Sequence, residues 1–148
     1  MSLVFRVLDR HVIHGLADEI AILDERGAMS YAELLHESAS IAGALRNLGL
    51  VPGAPISLDL PHPRELTVAV LASARIGVLP RSEADFRIVG TPPVLHTPDT
   101  EVPWGLMIRA GRTDPAPAPD VDPDGYEVLM RQAYADIFST LEAGGTIG

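Results

Sequence analysis

The chain has 148 residues and a formal net charge of −9, and its 11 basic residues are all arginine; it has no cysteine. That length suits one modest domain, or a domain plus a tail, burying roughly two thirds of the unfolded surface. Without lysine there is no phosphate loop of the Walker type, no Schiff-base amine and no lysine clamp on an acyl-adenylate. Without cysteine there is no thiol nucleophile, thiolate zinc site or disulfide framework.

The negative charge repels a phosphate backbone or an anionic membrane unless the arginines gather on one face, and they are dispersed from Arg6 to Arg131. The longest uncharged apolar stretch, Leu66 to Ala74, is far short of the ~20 residues of a spanning helix. Met1-Ser-Leu-Val-Phe-Arg6 lacks a signal-peptide apolar region. A soluble, cytoplasmic protein is expected, with neither nucleic acid nor membrane as partner.

From Leu3 to about His14 the spacing of Val4, Val7, Leu8 and His11 predicts a short helix with an apolar stripe. Ile20-Ala-Ile-Leu23 reads as a strand, and Asp24-Glu-Arg-Gly27 as the turn of a hairpin. Ser30, three residues ahead of Glu33, forms a capping box for a helix that begins at Tyr31. Leu34, Ile41, Leu45 and Leu48 continue one face of that helix, and Gly49 supplies a left-handed stop. Pro52-Gly53 turns the chain into a strand over Ile56 to Leu60. Pro61-His-Pro-Arg-Glu65 then opens a second helix running to about Gly77, proline being tolerated in a first turn. The order strand, helix, strand, helix favours an α/β layer with crossover connections.

Eight of the 13 prolines fall between Pro92 and Pro123, which excludes regular helix from much of that span. Ile88-Val89, Val94-Leu95 and Gly105-Leu-Met-Ile108 read as three short strands. Thr113 to Asp122 is expected to be extended. Asp124, with Glu127 three later, caps a last helix whose stripe is Tyr126, Met130, Ala133, Ile137 and Leu141. The fold class expected is α/β, with a domain over 1–110, a Pro/Asp-rich linker over 111–123 and a C-terminal helix with its tail over 124–148.

Met29-Ser-Tyr-Ala-Glu-Leu34, the capped helix after it, Gly49, the Pro-Gly turn, the apolar strand and the Pro-X-Pro helix opening resemble the start of the adenylate-forming (AMP-binding) enzymes. That superfamily includes acyl-CoA synthetases, nonribosomal peptide synthetase adenylation domains and luciferases. Its first core motif, Leu-(Thr/Ser)-Tyr-X-Glu-Leu, is matched from Ser30 to Leu34, with Met29 in place of Leu. Its second, Leu-Lys-Ala-Gly followed by small residues and a proline, is similar to Ala74-Arg-Ile-Gly77 leading to Pro80. Here Arg75 stands for Lys, Ile76 for Ala, and the segment before Pro80 is shorter. The resemblance covers about residues 5–80. It implies adenylation chemistry that depends on a phosphate loop ending in Pro-Lys-Gly, on later aspartates that hold the ribose and on a lid lysine, and this chain carries none of them. Gly144-Gly-Thr-Ile-Gly148 is glycine-rich but lysine-free and is expected to be a frayed terminus.

Three clusters suggest ligands and also have plain structural readings. Asp120-Val-Asp-Pro-Asp-Gly125 opens like a calcium loop, but the twelfth position, where a bidentate Glu is needed, is Arg131. Helix-terminal acids are the expected role. His11, His14 and Asp18 are spaced to share a helical face as metal ligands, yet Gly15 interrupts that helix and His11 lies on the apolar stripe, which favours a hydrogen-bonded core histidine. His62 follows a strand directly, where open α/β sheets gather ligands, but Pro61 and Pro63 delete the amides an anion would use. No serine lies in a Gly-X-Ser-X-Gly elbow. No catalytic, cofactor or metal residue is therefore assigned. The expected function is that of a truncated, non-catalytic relative of AMP-dependent ligases, structural or interacting, assembling as a homodimer. One part of a split ligase completed by a larger chain, and a small-molecule-binding module, are the alternatives.

Overall fold

The structure is a computed structural model that describes residues 1–148. An N-terminal helical segment, wound as wide π turns over Phe5–Asp9 and Val12–Leu16, buries Leu3, Val4, Val7 and Leu8 and is broken at His14 and Gly15. A hairpin of β1 (Ile20–Asp24) and β2 (Gly27–Ser30) leads into α1 (Tyr31–Asn47). Then come β3 (Pro55–Asp59), α2 (Pro63–Ile76), β4 (Leu79–Pro80), β5 (Arg87–Val89), β6 (Val94–His96), β7 (Glu101–Pro103), α3 (Trp104–Gly111), α4 (Tyr126–Ala133) and α5 (Ala135–Glu142). The class is α/β, as the alternation of elements implies. No helix is long and apolar enough to cross a membrane.

The capping box forms as read from the sequence: the Glu33 amide donates to Ser30 Oγ at 3.1 Å, and the Ser30 amide to Glu33 Oε1 at 3.2 Å. Leu34, Ile41 and Leu45 are fully buried. Leu48 is 40% exposed, because the helix ends at Asn47 and Gly49 turns the chain away with φ of 107°. Pro63 occupies the first turn of α2, and Gly77 closes that helix in the left-handed region.

β1 does not share a sheet with β3. It pairs with β2 and, by a bridge, with Ile147, while β3 sits second in a five-stranded sheet of order β4-β3-β5-β6-β7, parallel across β4, β3 and β5 and antiparallel beyond. The single crossover of the expected kind is therefore β3-α2-β4. Hydrophobic alternation marks a strand but not the sheet it joins.

The run Gly105 to Ile108 is helical, not a strand. Four apolar residues are compatible with either period. Within α3, Trp104, Met107, Ile108 and Gly111 fall at helical spacing on the side that meets α1. A Cβ added at Gly111 would lie 1.7 Å from the Ser40 carbonyl oxygen, so only glycine permits that crossing. The short strand β7 precedes it, in a stretch with no alternating pattern.

The last helix is two. Tyr134, with φ of −136° and ψ of 48°, divides α4 from α5, and this break rotates the stripe. Tyr126, Met130, Phe138 and Leu141 are buried, Ile137 is half-buried and Ala133 is exposed. Asp124 makes no cap: Gly125 holds the N-cap position, and Glu127 pairs with Arg6 and Arg131 instead. The glycine-rich end is not frayed either. Ile147 bridges β1, its amide donating to the Ala21 carbonyl at 2.8 Å and its carbonyl accepting from Leu23 at 2.8 Å, while the Tyr31 hydroxyl donates to the Gly145 carbonyl at 2.6 Å.

The tie between these segments is Arg75, only 4% exposed. Its two terminal nitrogens donate to both Asp9 carboxylate oxygens at 2.7 and 2.8 Å, and its Nε donates to the Ala116 carbonyl at 2.9 Å. Removing one partner of a buried pair strands a charge, so Asp9→Asn should cost about 3–5 kcal/mol in denaturant unfolding. Arg75→Lys should fail to restore the parent, because one ammonium cannot reproduce the planar fork. Ser30→Ala should cost about 1 kcal/mol through the lost cap, and Leu45→Ala roughly 2–5 kcal/mol through a cavity, measured in the same way.

Candidate functional site

Two clefts concentrate polar groups. The larger, of about 490 Å³, opens where β4 leaves β3 after two residues. The loop after Pro80 folds back, the Arg81 amide donating to the Ile56 carbonyl at 2.8 Å and the Ser57 amide to the Phe86 carbonyl at 2.9 Å. This exposes the carboxyl half of β3 beside Arg81, Ser82, Glu83 and Arg87, the place where parallel sheets offer strand ends to ligands. The Ser57 hydroxyl donates to the Ser82 carbonyl at 3.3 Å, and no histidine lines the cleft, so no activated nucleophile is present. The arrangement can bind polar groups but offers no general base paired to a hydroxyl.

The second, of about 230 Å³, lies between the hairpin, α1, α2 and α3 and is lined by Arg26, Met29, Glu37, Arg64, Glu65, Val68, Trp104 and Ile108. Its charges are knitted in pairs. Arg64 grips the Asp24 carboxylate through Nε at 2.9 Å and Nη2 at 2.8 Å, and donates to the Gly27 carbonyl at 2.6 Å. Arg26 grips Glu65 at 2.6 and 2.7 Å. The Arg64 hydrogen bonds hold the Asp24 carboxyl well below the usual carboxylate range, and Arg26 does the same, less strongly, for Glu65. Both carboxylates thus favour the folded state above the carboxylate range, and this support fades as acid protonates them. Glu37 is the exception: half-buried and without a hydrogen-bonded partner, its carboxyl is pushed up by burial. In sequence, Asp24 to Gly27 reads as a turn and Pro61 to Glu65 as a helix opening. Opposite charges in both segments were the available signal, but nothing local says that they meet.

The sequence candidates lie apart from these clefts or are held by ordinary bonds. His11 Nε2 is 3.1 Å from the Glu142 carbonyl, and its ring meets Tyr31 edge-on at 5.4 Å, as a packed histidine does. His14 and Asp18 are exposed, and no group of acids and histidines is arranged to hold a metal. Of the calcium-like run, Asp122 accepts from the Leu3 amide at 2.8 Å. It therefore serves the N-terminal helix and not the helix that follows it. Asp120 and Asp124 are exposed. His62 is the N-cap residue of α2 without a side-chain cap bond, facing a small recess with Glu25, Arg64 and Gly148.

Residues 9–80 match the model of the AMP-binding enzyme family. That stretch of the chain is similar to the AMP-binding enzymes. It is 35% identical over 85 residues to the acetyl-coenzyme A synthetase of Mycobacterium tuberculosis and 40% identical over 83 residues to that of Deinococcus radiodurans, in each case across 53% of this chain and 13% of the relative. The chain thus spans about an eighth of the length of these curated relatives. Among solved structures, coronafacic acid ligase from Pectobacterium brasiliense superposes with a TM-score of 0.50 at 22% identity, over 54% of this chain and 16% of that one. The anthranilate CoA ligase AuaEII gives 0.50 at 18%, over 54% and 15%. These likenesses show the fold of the N-terminal part. Both matched motifs have structural roles here: Ser30 to Leu34 is the cap and first turn of α1, and Ala74 to Gly77 is the end of α2.

All three phenols respond to alkali, Tyr134 too being pushed up by burial. Burial pushes Tyr31 up to about 12 and pushes Tyr126 well above its usual value, the Tyr126 hydroxyl being held between the Ser73 and Val78 carbonyls at 3.1 and 2.7 Å. The unfolded chain therefore loses these protons first, at about pH 10, so stability is full below that and falls as the pH rises further. Melting temperatures from about pH 8 to 11 should drop along this limb, and Tyr31→Phe should flatten it while lowering the neutral value slightly.

Proposed function

We propose that this chain acts as a non-catalytic structural or interaction protein built on the N-terminal layer of the AMP-binding enzymes. The observation that supports this best is that the chain covers its own layer. The segment after α3 lies in the groove of α1 and α2, the Ala116 amide donating to Ala39 at 3.0 Å and its carbonyl accepting from Arg75. Tyr126 seals the end of α2, α5 packs on the N-terminal helix, and Ile147 extends the hairpin. The catalytic inventory implied by the family resemblance includes lysines, and this chain has none.

Self-association, on this reading, uses a surface other than the stripe of α4 and α5, which is engaged within the chain. Val128 and Leu129, 60% and 41% exposed, are the apolar residues that α4 still offers to a second copy. ATP–pyrophosphate exchange over a panel of amino, aryl and fatty acids should stay at background. Exchange well above background with one acid, abolished by a substitution in this chain, would overturn the proposal. The missing lysines and phosphate loop are the groups that would steady charge during nucleotidyl transfer.

A further inference from the structure

We propose that the open edge of β3 at Leu58 takes up an extended segment of a partner polypeptide as an added strand. This names a surface and a class of partner for the interaction role above, and it rests on that reading.

Successive residues of a strand turn their backbone groups to opposite neighbours. In β3 the Ser57 amide donates to the Phe86 carbonyl and the Asp59 carbonyl accepts from the Gly90 amide, so both residues face β5. Ile56 faces β4, its carbonyl accepting from the Arg81 amide at 2.8 Å. Leu58 therefore faces the β4 side as well, but β4 ends at Pro80. Neither its amide nor its carbonyl has a partner within the chain, and Leu58 lines the cleft of about 490 Å³ that opens there. An unmet donor and acceptor at strand spacing are completed together by another strand.

The outer edges of the same sheet are closed to such pairing. On the outer side of β4 the Val78 amide donates to the Ser73 carbonyl at 3.1 Å, the Val78 carbonyl accepts from the Tyr126 hydroxyl at 2.7 Å, and Pro80 has no amide. On β7 the outward residues are Glu101 and Pro103, since Trp104 turns its amide inward to the Pro93 carbonyl. Charge and proline are means of blunting an edge, and Leu58 carries neither. Side-chain charge does not select the occupant, because Arg81 and Arg87 stand against Asp59 and Glu83 in the cleft lining. The backbone groups do. A second copy of this chain is a poor donor of the strand: its extended stretch at Ala116 is held by Ala39 and Arg75, and its Ile147 by β1. The volume limits the paired stretch to a few residues.

Amide exchange of the parent chain, followed residue by residue by NMR, reads this edge directly. In dilute solution the Leu58 amide should exchange fast while that of Ser57, bonded to Phe86, is protected. Capped five-residue peptides that alternate threonine with valine, leucine or tyrosine are the probes. At least one of them should slow the Leu58 amide by about threefold or more in a saturable way, with a Kd of about 1 mM or tighter. In that peptide, N-methylation of one of two adjacent central residues should abolish the protection, and N-methylation of the other should leave it, because neighbours in a strand face opposite ways. Ala84→Trp, which fills the cleft, should remove the response. The proposal is overturned by a Leu58 amide already protected in the dilute parent, by no saturable protection with any of the three peptides, or by equal effects of the two methylated forms. Protection that grows with the concentration of the parent alone assigns the edge to a second copy and overturns it too. The peptide comparisons use the parent chain, so they hold even where the variant folds poorly. None of them involves adenylation, so this proposal and the reading above, tested by ATP–pyrophosphate exchange, fail separately.

Discussion

A buried guanidinium holds this molecule together. Arg75 stands near the end of α2 with three of its nitrogens engaged, two by Asp9 of the N-terminal helix and one by the Ala116 carbonyl. A cation taken out of water must have every donor met, so the three segments that meet it cannot be placed independently. In the AMP-binding motif this position carries lysine, whose single ammonium could not satisfy a carboxylate edge and a carbonyl in one plane. The departure from the family pattern at Arg75 thus has a structural reason in this chain.

The rest of the closure follows from that tie. With Ala116 fixed against α1 and α2, the chain is delivered to the end of α2, where the Tyr126 hydroxyl meets the Ser73 and Val78 carbonyls on either side of Arg75 in sequence. From there α4 and α5 are led across the N-terminal helix, and the last residues reach β1. Phe138 and Leu141 are fully buried in the core. Covering the layer in this way removes the bare apolar face that would otherwise demand a partner.

Charge is distributed with the same economy. Asp24, Arg26, Arg64 and Glu65 join the hairpin to the first turn of α2 as two interlocked pairs, which fixes where the hairpin sits relative to the helix. Glu37 lies outside this pairing although it faces the same space.

Local chemistry in the sequence was enough to determine the Ser30–Glu33 cap, the face of α1 through Leu45, the turn at Gly27, the proline opening of α2 and the packed role of His11, because each depends on residues within a few positions of one another. It was enough, too, to show a resemblance of about residues 5–80 to the AMP-binding enzymes, whose family model matches residues 9–80, since two short motifs in order carry that signal. Tertiary structure alone decided that β1 stands outside the main sheet, that Gly105 to Ile108 coils against α1, that Asp122 accepts from the Leu3 amide 119 positions away and that Ile147 returns to β1. The same is true of the meeting of Asp24 with Arg64, of Arg26 with Glu65 and of Arg75 with Asp9. Each joins groups whose separation in sequence carries no periodicity, so their pairing is set by which surfaces the packed core brings together.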